Sequence, residues 1–398
     1  MRVNPGMNIR IVERLDQVPA QAWDALGGDR NPLVSHAFLA GLERYDCLGP
    51  RYGWLPRHVL IEDDAGGLQA AMPMYAKTNG YGEFVFDWAW QSAWERSGLA
   101  YYPKLVVSVP YTPATGPRLL VRSGADGPML RQALIRAGIR FARDHRVSGL
   151  HWLFPDDADL ESLRAEGLSL RMGCQYHWRN DGYRDFDDFL DRFSSKKRKN
   201  VRRERRRVSE QGIALRILHG NEVPDGLWET FHGFYMDTFE KKMGIPTLSL
   251  DFFRETGRAL GRGVVMVLAE HDGAPVAAAL CYRGSDSLYG RYWGCARDYD
   301  GLHFEACYYQ GIEYCIREGL ARFEPGAQGE HKIPRGFLPT PTWSAHWLAH
   351  EELGAAVADF CHREQQVMGR HCRQLMAHSP FRDGQGPADV GAVGSWRG

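Results

Sequence analysis

The sequence predicts a mixed α/β protein of two lobes in tandem. Three observations carry that expectation: an internal repeat, a β-hairpin pattern present once in each half, and a charged connector between the halves. At 398 residues the chain is longer than one core usually supports, so two domains are the default. The repeat opens with Pro19-x-x-x-Trp23, which returns 205 residues on as Pro224-x-x-x-Trp228. Self-similarity at a fixed offset is settled first because it fixes the architecture. Residues 57–75, RHVLIEDDAGGLQAAMPMY, then find a counterpart in residues 264–282, VVMVLAEHDGAPVAAALCY. Glu62 matches Glu270 and Tyr75 matches Tyr282 in that alignment.

Each of these stretches is an apolar strand, a short Asp/Gly turn and a second apolar strand, the signature of a hairpin. A third strand is expected after each, over residues 83–91 and 287–295. The first copy continues with helix, strand, helix and strand, over residues 128–145, 149–154, 157–167 and 170–180. The second continues with a helix over residues 304–319, closed by Gly319 where a C-cap favours glycine, and a short strand at residues 321–325. Two helices, three antiparallel strands, then alternating helix and strand is the element order of a GNAT lobe, the acyl-CoA N-acyltransferase fold. The expected fold class is therefore α/β (α+β), two tandem GNAT-like lobes with mixed, largely antiparallel sheets flanked by helices. The lobes are placed at residues 8–180 and 213–378, with a connector at 181–212 and a flexible tail at 379–398.

The connector has two halves. In the first, Phe186, Phe189, Leu190 and Phe193 form one apolar helical face behind Asp185, a good N-cap. The second, residues 194–208, holds nine Lys or Arg against one Glu, and its only apolar residues are Val201 and Val208. A run from Lys196 to Arg207 of this kind suits a phosphate backbone, an anionic lipid surface, or a solvated helix balanced by the aspartates just upstream. Over the whole chain charge is even, with 49 basic and 49 acidic side chains, so no bulk field steers the molecule to nucleic acid or membrane. The amino terminus lacks the apolar stretch of a signal peptide, and no run of 18 apolar residues follows, so a cytoplasmic address is expected. The eight cysteines form no CxxC pair and read as reduced, with no metal site; residues 361–372 mix Cys and His at a spacing that fits no zinc motif.

Several strings match a known family. Residues 31–43 (NPLVSHAFLAGLE), 101–120 (YYPKLVVSVPYTPATGPRLL), the basic run, and above all LHFEACYYQGIEYCIREGL and FEPGAQGEHKIPRGFLP resemble the FemAB-like family of bacterial N-acyltransferases, from about Val12 to about Ala377. The resemblance implies an enzyme, an N-acyltransferase moving an acyl or aminoacyl group to an amine, with a small molecule or cell-wall precursor as acceptor. It also admits an aminoacyl-tRNA-dependent transferase of the Fem type, with tRNA held by the basic run. Acyl-CoA is the other donor it implies, as a co-substrate rather than a tightly bound cofactor. The usual glycine-rich pyrophosphate loop is not evident before Glu305, where Arg297, Gly301 and His303 stand instead. A non-catalytic RNA- or membrane-binding protein on a GNAT scaffold is the reading from another class.

Acyl transfer to an amine needs a group to take the proton from nitrogen, donors for the oxyanion, and an acid for the leaving group. The densest source is the glycine-rich loop GAQGEHKIPRGF, with Gln328, Gly329, Glu330, His331, Lys332 and Arg335. Glu330 or His331 would be the base, and Lys332 and Arg335 would hold donor phosphate or a carboxylate; the bland alternative is a solvated loop. A second cluster opens the next helix back, with His303, Glu305, Tyr308, Tyr309 and Gln310. Glu305 there has a rival role as a simple helix-start carboxylate. In the first lobe Ser35 reads as an N-cap and His36 as a binding candidate, while Gly116 and Arg118 echo Gly329 and Arg335 and are expected on the other wall of a shared cleft. His346 reads as a core histidine. No Ser or Cys sits in a nucleophile context, so transfer is expected to be direct.

Overall fold

The computed structural model describes residues 7–28, 30–327 and 329–387. The chain forms two compact units, one of Met1–Gly173 with Pro341–Gly369, the other of Cys174–Thr340 with Arg370–Gly398. This differs from the expected lobes, whose limits were residue 180 and residues 213–378. The cause is a strand, Leu338–Leu348, absent from the expectation above. Its later part pairs antiparallel with Gly149–Leu153 in the first unit, Ser344 opposite Leu153 and His346 opposite His151. The tail also differs. Phe381 packs on Phe193 at 5.0 Å between ring centroids, and Ser194 N donates to the Pro380 carbonyl, so Pro380 and Phe381 pack against the second unit's core; residues 388–398 lie outside the described residues.

In the first unit one antiparallel sheet runs Met7–Val12, His58–Asp63, Leu68–Met72, Leu120–Val121. The repeated hairpin is its centre, closed by Asp63 Oδ1, which accepts from Ala65 N and Gly67 N. Pro73 has no N–H to give the ladder, and the chain passes there into a second set of strands. Met74–Lys77 pairs antiparallel with Trp54–Pro56 and with Lys104–Val107, and the latter is parallel to Gly149–Leu153. Helix Gly127–Asp144 is capped by Asp126 and buries Leu130, Leu134 and Ile135. At Gly138 a Cβ would lie 2.9 Å from the side-chain ends of Leu150 and Met72, so a larger residue would make both shift.

The expected strand over residues 83–91 is instead a loop and the helix Trp88–Arg96. Glu83 and Asp87 are the reason. Both are buried, and the buried Lys104 ammonium donates to each, at 2.8 Å to Glu83. Satisfying that ion cluster outweighs the strand preference of the aromatic run. In the second unit the third strand forms as expected, Ser287–Cys295. The sheet order there is Ile213–His219, Val264–His271, Ala274–Arg283, Ser287–Cys295, Arg322–Glu324, then the part of Ser169–Arg179 that belongs to this unit. All pairs are antiparallel except Ser287–Cys295 with Arg322–Glu324, which run parallel. The helix Phe186–Asp191 is capped by Asp185 and buries Phe186, Phe189 and Leu190 in the core beneath. No helix among the described residues is long and apolar enough to cross a membrane.

Replacing Lys104 by Met would strand two buried carboxylates, so Lys104→Met is expected to cost the first unit about 3–5 kcal/mol in urea denaturation. A loss below about 1 kcal/mol, the value of an exposed pair, would show that the cluster is not the anchor it is taken for.

Candidate functional site

The second unit gathers most of the candidate residues around the inner face of one helix. That helix, Ser195–Glu210, is the basic run, and it is seated by Val201 and Val208, both buried. Glu204 and Arg205 fall between them on the same stripe and point inward. Glu204 accepts from Arg335 at both carboxylate oxygens, Nη2 at 2.7 Å and Nε at 3.0 Å, and from the Tyr309 hydroxyl. Arg205 donates to Glu305 through Nε and Nη2 at 3.0–3.2 Å and to Glu313 at 2.8 Å. Aromatic rings complete each pair: the Arg335 guanidinium lies 3.5 Å from the centre of Phe304, and that of Arg205 lies 4.4 Å from Phe186.

Two segments are clamped in this way. One follows Gly301, whose φ of 81° turns the chain out of the third strand into Leu302–Phe304 and then a π-helical turn, Glu305–Tyr309. A π turn adds one residue to a helix and so re-aims its side chains, a device common at functional sites. The other is the 3-10 turn Glu330–Arg335, which closes at Gly336 in the left-handed region. Arg335 also donates to the His331 carbonyl, fixing this turn upon itself. Between the two segments, the Tyr308 hydroxyl and His331 Nε2 are 2.9 Å apart. The His303 ring stands 5.4 Å from that of Tyr308 and 5.4 Å from that of Trp293. Gly329 has a steric role here, since a Cβ on it would lie 2.2 Å from His331 Cε1.

The electrostatics of the cluster keep its histidines neutral. Burial, then the neighbouring His331, pushes His303 down to about 4. His331 is more open, yet partial burial and the nearby Lys332 and Arg335 lower it as well. Burial raises Tyr308, which therefore keeps its proton. Lys332 is 2% exposed, donates to the Gly326 carbonyl at 2.6 Å, and is pushed down to about 8 by burial.

The structure sorts the expected residues. His303, Tyr308, His331 and Lys332 converge, with Gly329 making room. Glu330 is exposed on the same turn. Glu305 is 3% exposed and saturated by Arg205 and by Gln310 at 2.8 Å, so it is an anchor and not a base. Tyr309 and Arg335 are likewise committed to Glu204, which corrects the expectation of Arg335 as a phosphate ligand and Tyr309 as a catalytic group. Gln328 lies outside the described residues.

The first-unit candidates are structural. Arg118 is buried, with its guanidinium donating to the carbonyls of Leu153, Pro117 and Ala114. Gly116 is packed so that a Cβ would meet Asn31 at 2.6 Å, and His36 Nε2 lies 3.0 Å from the Leu15 carbonyl. His346 is a core residue, with Nε2 2.8 Å from Ser344 Oγ and Nδ1 2.8 Å from His151.

Glu204, Arg205 and Glu313 are the functional-site residues that sequence reasoning missed. A signal existed for the first two. One acid in a basic run, sharing a helical stripe with its only two valines, marks an inward face. The outward face is different, a groove of about 380 Å³ lined by Ser195, Arg198, Lys199, Arg202, Arg203 and Arg206.

Comparison with known proteins sets this arrangement in context. The sequence pattern of the FemAB-like family, described as peptidoglycan biosynthesis/recognition, matches residues 14–383. Among solved structures, FemX superposes with a TM-score of 0.52 at 11% identity, over 86% of this chain and 98% of that one. The C-terminal domain of a proposed lysylphosphatidylglycerol synthetase from Agrobacterium fabrum gives 0.51 at 12%, over 88% and 96%. A conserved protein of unknown function from Bacteroides thetaiotaomicron gives 0.51 at 11%, over 86% and 100%. At these identities the likeness concerns the fold, which is the expected tandem GNAT-like one. No curated protein matches the chain significantly.

Removing the carboxylate charge in Glu204→Gln leaves the Arg335 guanidinium without its counter-ion. Because Glu204 is partly exposed, a loss of about 2 kcal/mol is expected by denaturant titration, below the 3–5 kcal/mol of fully buried pairs. An unchanged midpoint would mean that the clamp does not hold the turn.

Proposed function

This chain belongs to the FemAB-like family, and we propose that it is an N-acyltransferase whose site is the His331, Tyr308 and His303 cluster of the second unit. Family and fold support a transferase; the observation that carries the site is the 2.9 Å pairing of Tyr308 with His331 between two clamped segments. With Nε2 of His331 protonated and donating to the Tyr308 oxygen, Nδ1 is free to take the proton of an attacking amine. The amine nitrogen forms its bond to the donor carbonyl, and the bond from that carbonyl to sulfur or oxygen breaks. Tyr308 gives its proton to the departing atom and regains one from His331 Nε2. The proton thus passes from amine to leaving group with no net change in the protein's charge, leaving His331 as its Nδ1–H tautomer, which exchange with solvent resets before the next turnover. Lys332, behind the Tyr308 ring at 5.9 Å, supplies positive charge toward the developing oxyanion. His303 is the alternative base, being neutral at any pH above about 4.

The donor is an acyl-CoA or an aminoacyl-tRNA, and the acceptor is a small-molecule or cell-wall-precursor amine. The basic helix is the feature that serves a phosphate-bearing donor. The acceptor must arrive as the free amine, since an ammonium has no lone pair to attack with.

His331→Ala is expected to lower kcat about 100-fold or more, and Tyr308→Phe about 10-fold or more, with circular dichroism unchanged. Wild-type turnover in both would remove the assignment. The pH profile has a definite sign. His331 must be neutral, and its pKa lies below the ordinary 6.5, so kcat/KM holds down through pH 6.5 and falls on the acid side of it. On the basic side Lys332 loses its charge near 8, and the rate falls there. Because the free-amine fraction of the acceptor also rises with pH, the basic limb is read against Lys332→Met, in which the fall near 8 is expected to vanish; an identical limb in that variant would contradict the role given to Lys332.

A further inference from the structure

The basic helix has two jobs written on opposite faces. Its inner face clamps the His331 turn and the π turn; its outer face carries cations in rows. Arg198, Arg202 and Arg206 stand at successive i, i+4 positions, as do Lys199 and Arg203, and like charges at that spacing destabilise a helix. The first turn of the helix contains no acid to answer the positive end of its dipole. Three carboxylates relieve part of the strain, Asp191 on Arg198 at 2.9 Å, Asp187 on Arg202 at 2.8 Å and Glu210 on Arg206 at 3.4 Å. All three acids are largely exposed, so these pairs contribute little and are easily exchanged.

We infer that the outer face of this helix is a binding site for a soluble ligand bearing a diphosphate, and that its occupation tightens the His331 turn through Glu204 and Arg205. The chemistry of the groove selects that class. All six lining residues belong to this one helix, so the groove of about 380 Å³ is formed between their side chains and is open to solvent, with room for a small anion. Six residues line it and none is aromatic, so nothing there stacks nucleic-acid bases. None is apolar, so nothing inserts into a bilayer. Two rows of guanidinium and ammonium groups about 6 Å apart along the helix suit two linked phosphates, each met from both rows. Bound phosphate cancels the repulsion, the helix gains stability, and the anchors on its other face hold the turn more firmly. The inference deepens the proposed transferase reading, because the turn concerned is the site named there. By linkage, a ligand in the His331 site must in return tighten diphosphate binding.

Inorganic pyrophosphate is the probe, titrated calorimetrically into the full chain at ionic strength matched with sodium chloride, with hydrogen exchange followed on the amides of Lys332, Gly336 and Phe337. These amides bond to the carbonyls of Gly329, Ile333 and Lys332 within the turn. Saturable binding with about 10-fold slower exchange at the three amides is the expected result. Lys199→Glu and Arg203→Glu, both on the exposed face, are expected to weaken binding about 10-fold each while the unfolding midpoint stays in place. Glu204→Gln is expected to keep binding and lose the protection. The inference is overturned by no saturable binding above matched salt, by binding without protection of the turn, or by uptake of RNA or anionic phosphatidylglycerol vesicles where pyrophosphate does not bind. None of these readouts uses turnover, so a wild-type rate in His331→Ala would remove the transferase assignment and leave this result standing.

Discussion

Two ion pairs from one helical turn, Glu204 with Arg335 and Arg205 with Glu305, are what the rest of the candidate site depends on. Adjacent residues of opposite charge reach in opposite senses, one to the 3-10 turn and one to the π turn. Ion pairs of this kind add little net stability, because taking the charges out of water offsets much of their attraction. Their value is geometric. Guanidinium and carboxylate meet at two points, so each pair fixes direction as well as distance. The Tyr308 to His331 contact therefore rests on two segments whose placement is set from behind, and a proton relay needs that constancy more than it needs affinity.

The same arrangement gives the basic run a structural place in a chain with no net charge. A solvated helix would tolerate any mixture of charges. This one has an inner stripe of Val201, Glu204, Arg205 and Val208, which packing and pairing specify, and an outer face whose arginines meet only exposed carboxylates. Position on the helix, rather than composition, separates the two roles.

Much of the fold was legible because its signals are local. Hairpin turns, helix caps at Ser35 and Asp185, and apolar periodicity act over a few residues, and the repeat at Pro19 and Pro224 states the architecture. The strand Leu338–Leu348 was illegible, since its partner in the first unit lies some 190 residues away and Pro339 and Pro341 argue against a ladder. The segment at residues 83–91 misled because aromatic residues favour strands, whereas its fate is decided by Lys104, far enough along the chain to be invisible to pattern. In the site, residue types were legible and roles were not. Glu305 and Arg335 have the chemistry of catalysis, yet their partners on the basic helix occupy them, and partners belong to tertiary structure. Arg118 shows the same point, with its donors taken by carbonyls of its own neighbourhood.

The account stands or falls on where the reacting carbonyl sits. The most direct measurement is a crystal structure with a non-transferable donor analogue, an acyl-CoA thioether or an aminoacylated RNA amide. The predicted result places the analogue's carbonyl region within hydrogen-bond reach, about 3 Å, of Tyr308 Oη or His331. An analogue bound at full occupancy elsewhere, with the Tyr308 and His331 pair untouched, would contradict it.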